Sequence, residues 1–169
     1  QYSLLHAEAA PLSYKVAVKR DPASRGGSAY VFDGLKSGDV IKIDPPRNNF
    51  ALVEDAVHSV FIAGGIGITP VWAMIGRLNA LRKPWTLHYA ARSKEEALFA
   101  DELSASGNVF FHFDVEQEGR FLPIDRIVAS APAQADIYCC GPAPMLAAFE
   151  RASVGRESER IHIEYFTKK

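Results

Sequence analysis

The sequence predicts two regions: an antiparallel, β-rich stretch over residues 1–54, then an α/β domain with a five-stranded parallel sheet over residues 55–169. Three observations carry this prediction. Tyr14-Lys15-Val16-Ala17-Val18-Lys19 sets its larger apolar residues at every second position, the period of a half-buried strand. Ser59-Val60-Phe61-Ile62-Ala63 is instead a continuous apolar run, as a strand covered on both faces requires. Beyond it, strand-like and helix-like segments alternate, the pattern of a parallel sheet with helices on both faces.

Taken in order, residues 1–5 and 14–19 read as the first two strands. A polar, Gly-rich loop spans 21–27, and Ser28 is placed to cap a short helix over 28–32 that Asp33-Gly34 closes. A strand at 40–43 leads into Asp44-Pro45-Pro46-Arg47-Asn48-Asn49, a loop by composition. Three or four such strands leave an apolar face uncovered, and a small closed barrel needs more chain. Either the chain is a fragment or the missing strands come from elsewhere. In the second region Pro70 begins a helix in which Val71, Met74, Ile75, Leu78 and Leu81 share one stripe. Strands are expected at 59–63, 86–91, 109–113, 136–140 and 161–166. Helices are expected at 95–103, near Pro123 and at 143–152.

Composition narrows the function classes. With 48% apolar and 23% charged residues the chain has material for a core, and its net charge of −1 argues for neither nucleic acid nor an anionic membrane surface. No run of about 18 apolar residues occurs, so no transmembrane helix or signal peptide is expected. The two cysteines, Cys139 and Cys140, do not make a disulfide framework or a four-ligand metal centre, and the chain reads as a cytoplasmic, reduced protein. His6, His58, His88, His112 and His162 show no metal-ligand spacing, so no metal site is expected.

Three segments can carry chemistry. Gly64-Gly65-Ile66-Gly67-Ile68-Thr69-Pro70 joins a buried strand to a helix, with Thr69 as cap and Pro70 at the first helical position. Such a turn presents N–H groups to a phosphate, although it lacks the third glycine of the dinucleotide fingerprint and equally suits tight packing. Cys140-Gly141-Pro142 ends a later strand, where open α/β sheets bind ligands. Cys139 reads as a buried thiol, while the turn puts Cys140 at the sheet's edge. Arg25-Gly26-Gly27-Ser28 combines charge, flexible backbone, a hydroxyl and a helix start, and reads as either an anion site or a solvated turn.

These pieces in this order, with Gln1-Tyr2-Ser3-Leu4 before them and Glu164-Tyr165-Phe166 after, resemble the ferredoxin–NADP reductase superfamily. More specifically the chain resembles the reductase components of Rieske oxygenase systems, the phthalate dioxygenase reductase and vanillate demethylase reductase group. The resemblance implies a flavin-binding antiparallel barrel, present here in its C-terminal part, followed by an NAD(P)-binding α/β domain. It implies that Tyr2 packs on the flavin ring, that the Ser3 hydroxyl bonds near the hydride-accepting nitrogen, and that Ala17, Val18 and Lys19 line the flavin. Arg25, Gly26, Gly27 and Ser28 would hold the flavin phosphate, a form that resembles the FMN-using branch more than the FAD-using one. Thr69 and Phe166 would also meet the flavin. Gly64, Gly65, Gly67, Thr69, Pro70, Cys140, Gly141, Pro142 and Met145 would face the nicotinamide nucleotide, with Arg92 and Ser93 at its ribose. Ser3, Cys140 and Glu164 would stand closest to the reaction.

The implied activity moves a hydride from NAD(P)H to FMN and passes single electrons to an iron–sulfur acceptor serving a terminal oxygenase. NADH is expected on family grounds, while Arg92-Ser93 leaves NADPH open. The [2Fe–2S] centre would lie in a further domain or a partner, such as a ferredoxin, because the family's third domain and its cysteines are not in this sequence. The family's arginine before Gln1 and about half of its barrel are not in it either. The alternatives are an FAD-dependent ferredoxin or flavohaem-type reductase, and a non-redox nucleotide-binding regulatory module.

Overall fold

A computed structural model describes residues 2–6, 12–22, 25–117 and 119–166; Gln1 lies outside them. In the first region the expected strands meet in one antiparallel bridge, Leu4 to Val16, with the Leu5 N–H donated to the Lys15 carbonyl at 2.9 Å. The segment at 40–43 has no ladder partner among the described residues, and Val40, Ile41 and Ile43 are exposed. Extended chain registers as sheet only when a neighbour takes its backbone groups, and one bridge does not sustain a ladder. The short helix starts earlier than expected, as α1 (Gly27–Ala29), and widens into a π turn over Tyr30–Gly34 closed by the Leu35 N–H on the Tyr30 carbonyl. Gly26, at φ 113°, takes the cap position because only glycine enters that backbone region freely. Ser28, the expected cap, instead accepts the Asp21 N–H through its hydroxyl at 3.1 Å.

The second region is a five-stranded, all-parallel sheet. Its elements are β1 (Ser59–Gly64), α2 (Ile68–Ala80), β2 (Trp85–Ala91), α3 (Ala100–Ser104), β3 (Val109–Phe113), α4 (Ile124–Ser130), β4 (Asp136–Cys140), α5 (Ala143–Ala152) and β5 (Ile161–Glu164). The strand order is β3-β2-β1-β4-β5. All six residues of β1 are buried, as the continuous apolar run requires. Alternation along it feeds two cores. Phe61 and Ala63 join Val71, Ile75, Leu78, Leu87 and Tyr89 on the face of α2 and α3, while Val60 and Ile62 join Ile127, Val128, Ile137, Leu146 and Phe149 on the face of α4 and α5.

Three boundaries differ from expectation. The helix expected from residue 95 begins only at Ala100, because Phe99 sits at φ 64° with its ring stacked 4.1 Å from that of Trp72. A left-handed residue cannot continue a right-handed helix. The helix α2 begins two residues before Pro70, so the proline is its third residue, still within the first turn where its missing N–H costs nothing. The strand β5 ends at Glu164, two residues short of Phe166.

Candidate nucleotide and flavin site

The chain leaves β1 toward β2 and β3 on one side, whereas β4 pairs with β1 on the other. The carboxyl ends of β1 and β4 therefore flank the point where strand order reverses, the place where open α/β sheets bind ligands. Both glycine motifs converge there. A Cβ on Gly64 would lie 2.7 Å from Pro142 Cδ and 2.9 Å from the Met145 side chain. One on Gly141 would lie 2.6 Å from Met145 Sδ, and one on Gly67 only 2.2 Å from the Cys140 carbonyl oxygen. The turns are interlocked backbone against backbone, which answers why glycines occupy them. Gly65 differs: φ is 52°, nothing lies within 4 Å of a Cβ there, and its carbonyl accepts the Tyr89 hydroxyl at 3.3 Å. Thr69 does not cap α2. It is the second residue of the helix, is 1% exposed, and donates its hydroxyl to the Ile66 carbonyl at 3.0 Å, fixing the turn.

Cys140 pairs in register with Ala63 on one side and Glu164 on the other. It is thus on an inner strand and 1% exposed, not at the sheet's edge. Burial pushes its thiol far above the usual range, and the neighbouring Glu164 carboxylate and Cys139 push the same way. Burial alone takes Cys139 up to about 12. Neither thiol is a nucleophile at neutral pH. Glu164, 9% exposed, lies beside Cys140 on the face shared with Tyr138 and His162.

Beside this face opens a cleft of about 1590 Å³, larger than the roughly 300–1,000 Å³ of a drug-sized pocket. Tyr2, Ser3, Val16, Val18, Pro70 and Glu164 contribute to its wall. Of the trio expected along the second strand, only Val18 faces in; Ala17 and Lys19 alternate away, and the Lys19 ammonium lies 4.0 Å from Glu96. The loop of Arg25, Gly26, Gly27 and Ser28 adjoins Tyr2, whose hydroxyl lies 3.7 Å from a Cβ built on Gly27. Arg20 and Asp33, paired at 2.7 Å, tie the chain across the following turn. Phe166 is half-buried beyond β5 and off the cleft wall. An aromatic ring, aliphatic walls and a hydroxyl line the hollow, and the glycine loop adjoins it at Tyr2, a set that fits a planar ring with a phosphate tail.

At the carboxyl end of β2, Arg92 reaches Glu96 at 3.7 Å with its side chain 73% exposed. The hydroxyl of Ser93 hydrogen-bonds Glu95 and holds that carboxyl below its usual range. The Arg92 carbonyl accepts the Val115 N–H at 3.1 Å, joining the ends of β2 and β3. A second hollow of about 620 Å³ lies past β3, lined by His112, Gln117, Arg120, Phe121, Asp125 and Arg126. The sequence offered no signal for it, since these residues share no spacing and only the fold brings them together. Among the described residues no group of three or more His, Cys, Asp or Glu could hold a metal ion, and no helix is long and apolar enough to cross a membrane.

Residues 61–151 match the family described as the oxidoreductase NAD-binding domain. The chain is 52% identical over 169 residues to phenoxybenzoate dioxygenase subunit beta of Ectopseudomonas oleovorans, covering 99% of this chain and 53% of that protein. It is 37% identical over 171 residues to the vanillate O-demethylase oxidoreductase of a Pseudomonas species, covering 98% of this chain and 54% of that one. The solved structure of phthalate dioxygenase reductase superposes with a TM-score of 0.86 at 32% identity, covering 96% of this chain and 52% of the other. The chain spans about half the length of the curated relatives it matches. With the glycine turns at the switch point and this agreement along its length, the chain belongs to the oxidoreductase NAD-binding domain family, in the ferredoxin reductase superfamily.

Proposed function

We propose that this chain is the nucleotide-binding part, with a portion of the flavin-binding part, of an oxygenase reductase that oxidises NADH. The observation that carries the proposal is the shared wall. Glu164 and Pro70 line the cleft, and each adjoins one of the interlocked glycine turns at the switch point. A ring held in the cleft and one held over those turns therefore meet across a short gap. Bound there, the two cofactors would supply the redox chemistry, hydride transfer between nicotinamide and flavin and one-electron transfer onward.

The chain's own residues hold and orient. Tyr2, Val16 and Val18 pack against the flavin ring, Ser3 offers a hydroxyl to it, and the Arg25–Ser28 loop takes its phosphate, as FMN. The turn of Gly64, Gly65 and Gly67 and the turn of Cys140, Gly141, Pro142 and Met145 frame the nicotinamide end. Arg92, Ser93 and the hollow past β3 take the adenosine half. Glu164 and Cys140, buried side by side, form the floor and exclude water. No acid–base pair is needed, so catalysis rests on alignment. Residues 1–54 form the flavin half and 55–169 the nucleotide half. The likeness to phenoxybenzoate dioxygenase subunit beta supports an aromatic-compound dioxygenase as the partner, and the family resemblance supports a [2Fe–2S] acceptor between them.

The test is an anaerobic titration of the full-length, FMN-loaded protein with NADH. Bleaching of the oxidised flavin band in the visible is expected, with NADH preferred over NADPH. Failure to bind flavin, or a band that NADH leaves unchanged, overturns the reading. Chromatography of heat-released cofactor separates FMN from FAD.

A further inference from the structure

The segment that joins the two regions is not a passive linker. Asn48 Oδ1 accepts the Phe50 N–H at 3.2 Å, turning the chain inward, and Phe50 and Leu52 then pack on the core beneath α2. The Phe50 ring meets Tyr138 edge-on at 5.7 Å. The Val53 N–H donates to the Tyr138 hydroxyl at 2.9 Å, across 85 residues of sequence. Next in line, the Glu54 carboxylate takes both Nε and Nη2 of Arg77, at 2.7 and 3.0 Å. Fork-on-carboxylate pairing of this kind fixes direction as well as distance.

The anchor is itself rigid. Tyr138 is fully buried, lies 5.1 Å from the Phe61 ring, and stacks on His162 at 4.3 Å; His162 is bonded to the buried Asp136 at 2.8 Å. Tyr138 and His162 pair in register one step behind Cys140 and Glu164 on the same face, about 7 Å back along the strands. Residues 44–52, Glu54 and Arg77 line the cleft. The strap is therefore one wall of the cleft, pinned to the strands that end in its floor.

Building on the proposed reductase reading, we propose that Tyr138 and Arg77 are positioning residues for hydride transfer. By pinning the strap at Val53 and Glu54 they set how closely the flavin half approaches the Cys140–Glu164 floor. A donor–acceptor distance set by two domains is only as constant as the segment joining them, and small misplacements cost rate steeply.

The test uses the full-length, FMN-loaded protein with Tyr138→Phe, which keeps the ring and its stacks, with Arg77→Gln, and with Arg77→Lys as the conservative rescue. Hydrogen exchange at the Val53 amide is expected to quicken about tenfold in Tyr138→Phe. In anaerobic stopped flow the limiting rate of flavin reduction is expected to fall about tenfold in Tyr138→Phe and Arg77→Gln, with Arg77→Lys partly restored. Flavin content and the apparent NADH affinity should stay within about twofold of the parent. Unchanged Val53 exchange with an unchanged limiting rate overturns the proposal, as does weaker NADH affinity at an unchanged limiting rate. Should Tyr138→Phe fail to fold, Arg77→Gln decides by the same criteria. A parent protein that NADH does not reduce refutes the reductase reading instead, and the exchange result alone then judges the clamp.

Discussion

Alanine at Gly67 would place its methyl group 2.2 Å from the Cys140 carbonyl oxygen, 2.6 Å from the carbonyl carbon and 2.9 Å from Gly141 N. All three are backbone atoms of the neighbouring turn, so no side chain can swing aside. The turn after β4 must move, or the β1–α2 turn must back away. Overpacking of this kind costs about 1–3 kcal/mol, against a gain of roughly 0.4–1 kcal/mol from a stiffer unfolded chain. A net loss of about 1.3 kcal/mol is expected, which for a chain of this length lowers Tm by about 3–5 °C. Gly76, within α2, is the internal control: nothing lies within 4 Å of a Cβ there, and Gly76→Ala should stabilise by about 0.5–1 kcal/mol. Thermal and urea unfolding followed by circular dichroism, on both variants and the parent, measure the difference. A Gly67→Ala protein as stable as the parent would refute the interlocked-turn reasoning. Because the same turns frame the proposed nicotinamide site, NADH affinity should fall with stability.

The buried thiols make stability fall in alkali. In the folded chain Cys139 titrates near 12 and Cys140 higher, whereas both ionise near 9 once unfolded. Above that value the unfolded state binds fewer protons, so stability drops by up to about 1.4 kcal/mol per pH unit per thiol as pH rises from 9 toward 12. Urea midpoints at pH 8 and pH 10.5 test this, and a midpoint that does not move contradicts it. Below pH 9 a thiol-directed reagent should label neither cysteine until urea is added. Asp136→Asn keeps the volume but removes the charge that His162 and Arg160 share, at 2.8 and 3.4 Å. A loss of about 2 kcal/mol is expected in urea unfolding, and no loss would mean the pair is offset by its own desolvation. Asn79→Ala removes the acceptor of the Trp85 indole N–H, bonded at 2.8 Å. With Trp85 buried, about 1–2 kcal/mol should be lost, together with a change in tryptophan emission; an unaltered unfolding curve would show the N–H had found another acceptor.

Much of the α/β half was legible because periodicity reports burial. The run at 59–63, the stripe from Val71 to Leu78 and the strands at 109–113 and 136–140 sit where the pattern puts them. Where the reading failed, a contact distant in sequence decided. Phe99 delays the start of the expected helix because Trp72, on another element, takes its ring. The strand at 40–43 does not register as sheet because no neighbour among the described residues takes its backbone groups.

The site divides the same way. Local chemistry alone marked the glycine turns and the Arg25–Ser28 loop, since a strand followed by glycines and a helix is a short-range pattern, whereas Glu164 entered only through the family resemblance. Sequence could not say what each residue touches. Thr69 was expected to cap a helix and instead braces the turn; Cys140 was expected at an edge and is sealed between β1 and β5. The strap at Val53 and Glu54 and the hollow past β3 carried no local signal at all, because their partners lie 85 and 23 residues away in one case and converge from strand, loop and helix in the other. Sequence by itself determined which segments are buried and where backbone can approach a ligand. Only the tertiary structure decided which of them meet, because strand order is set by packing between segments and not within them.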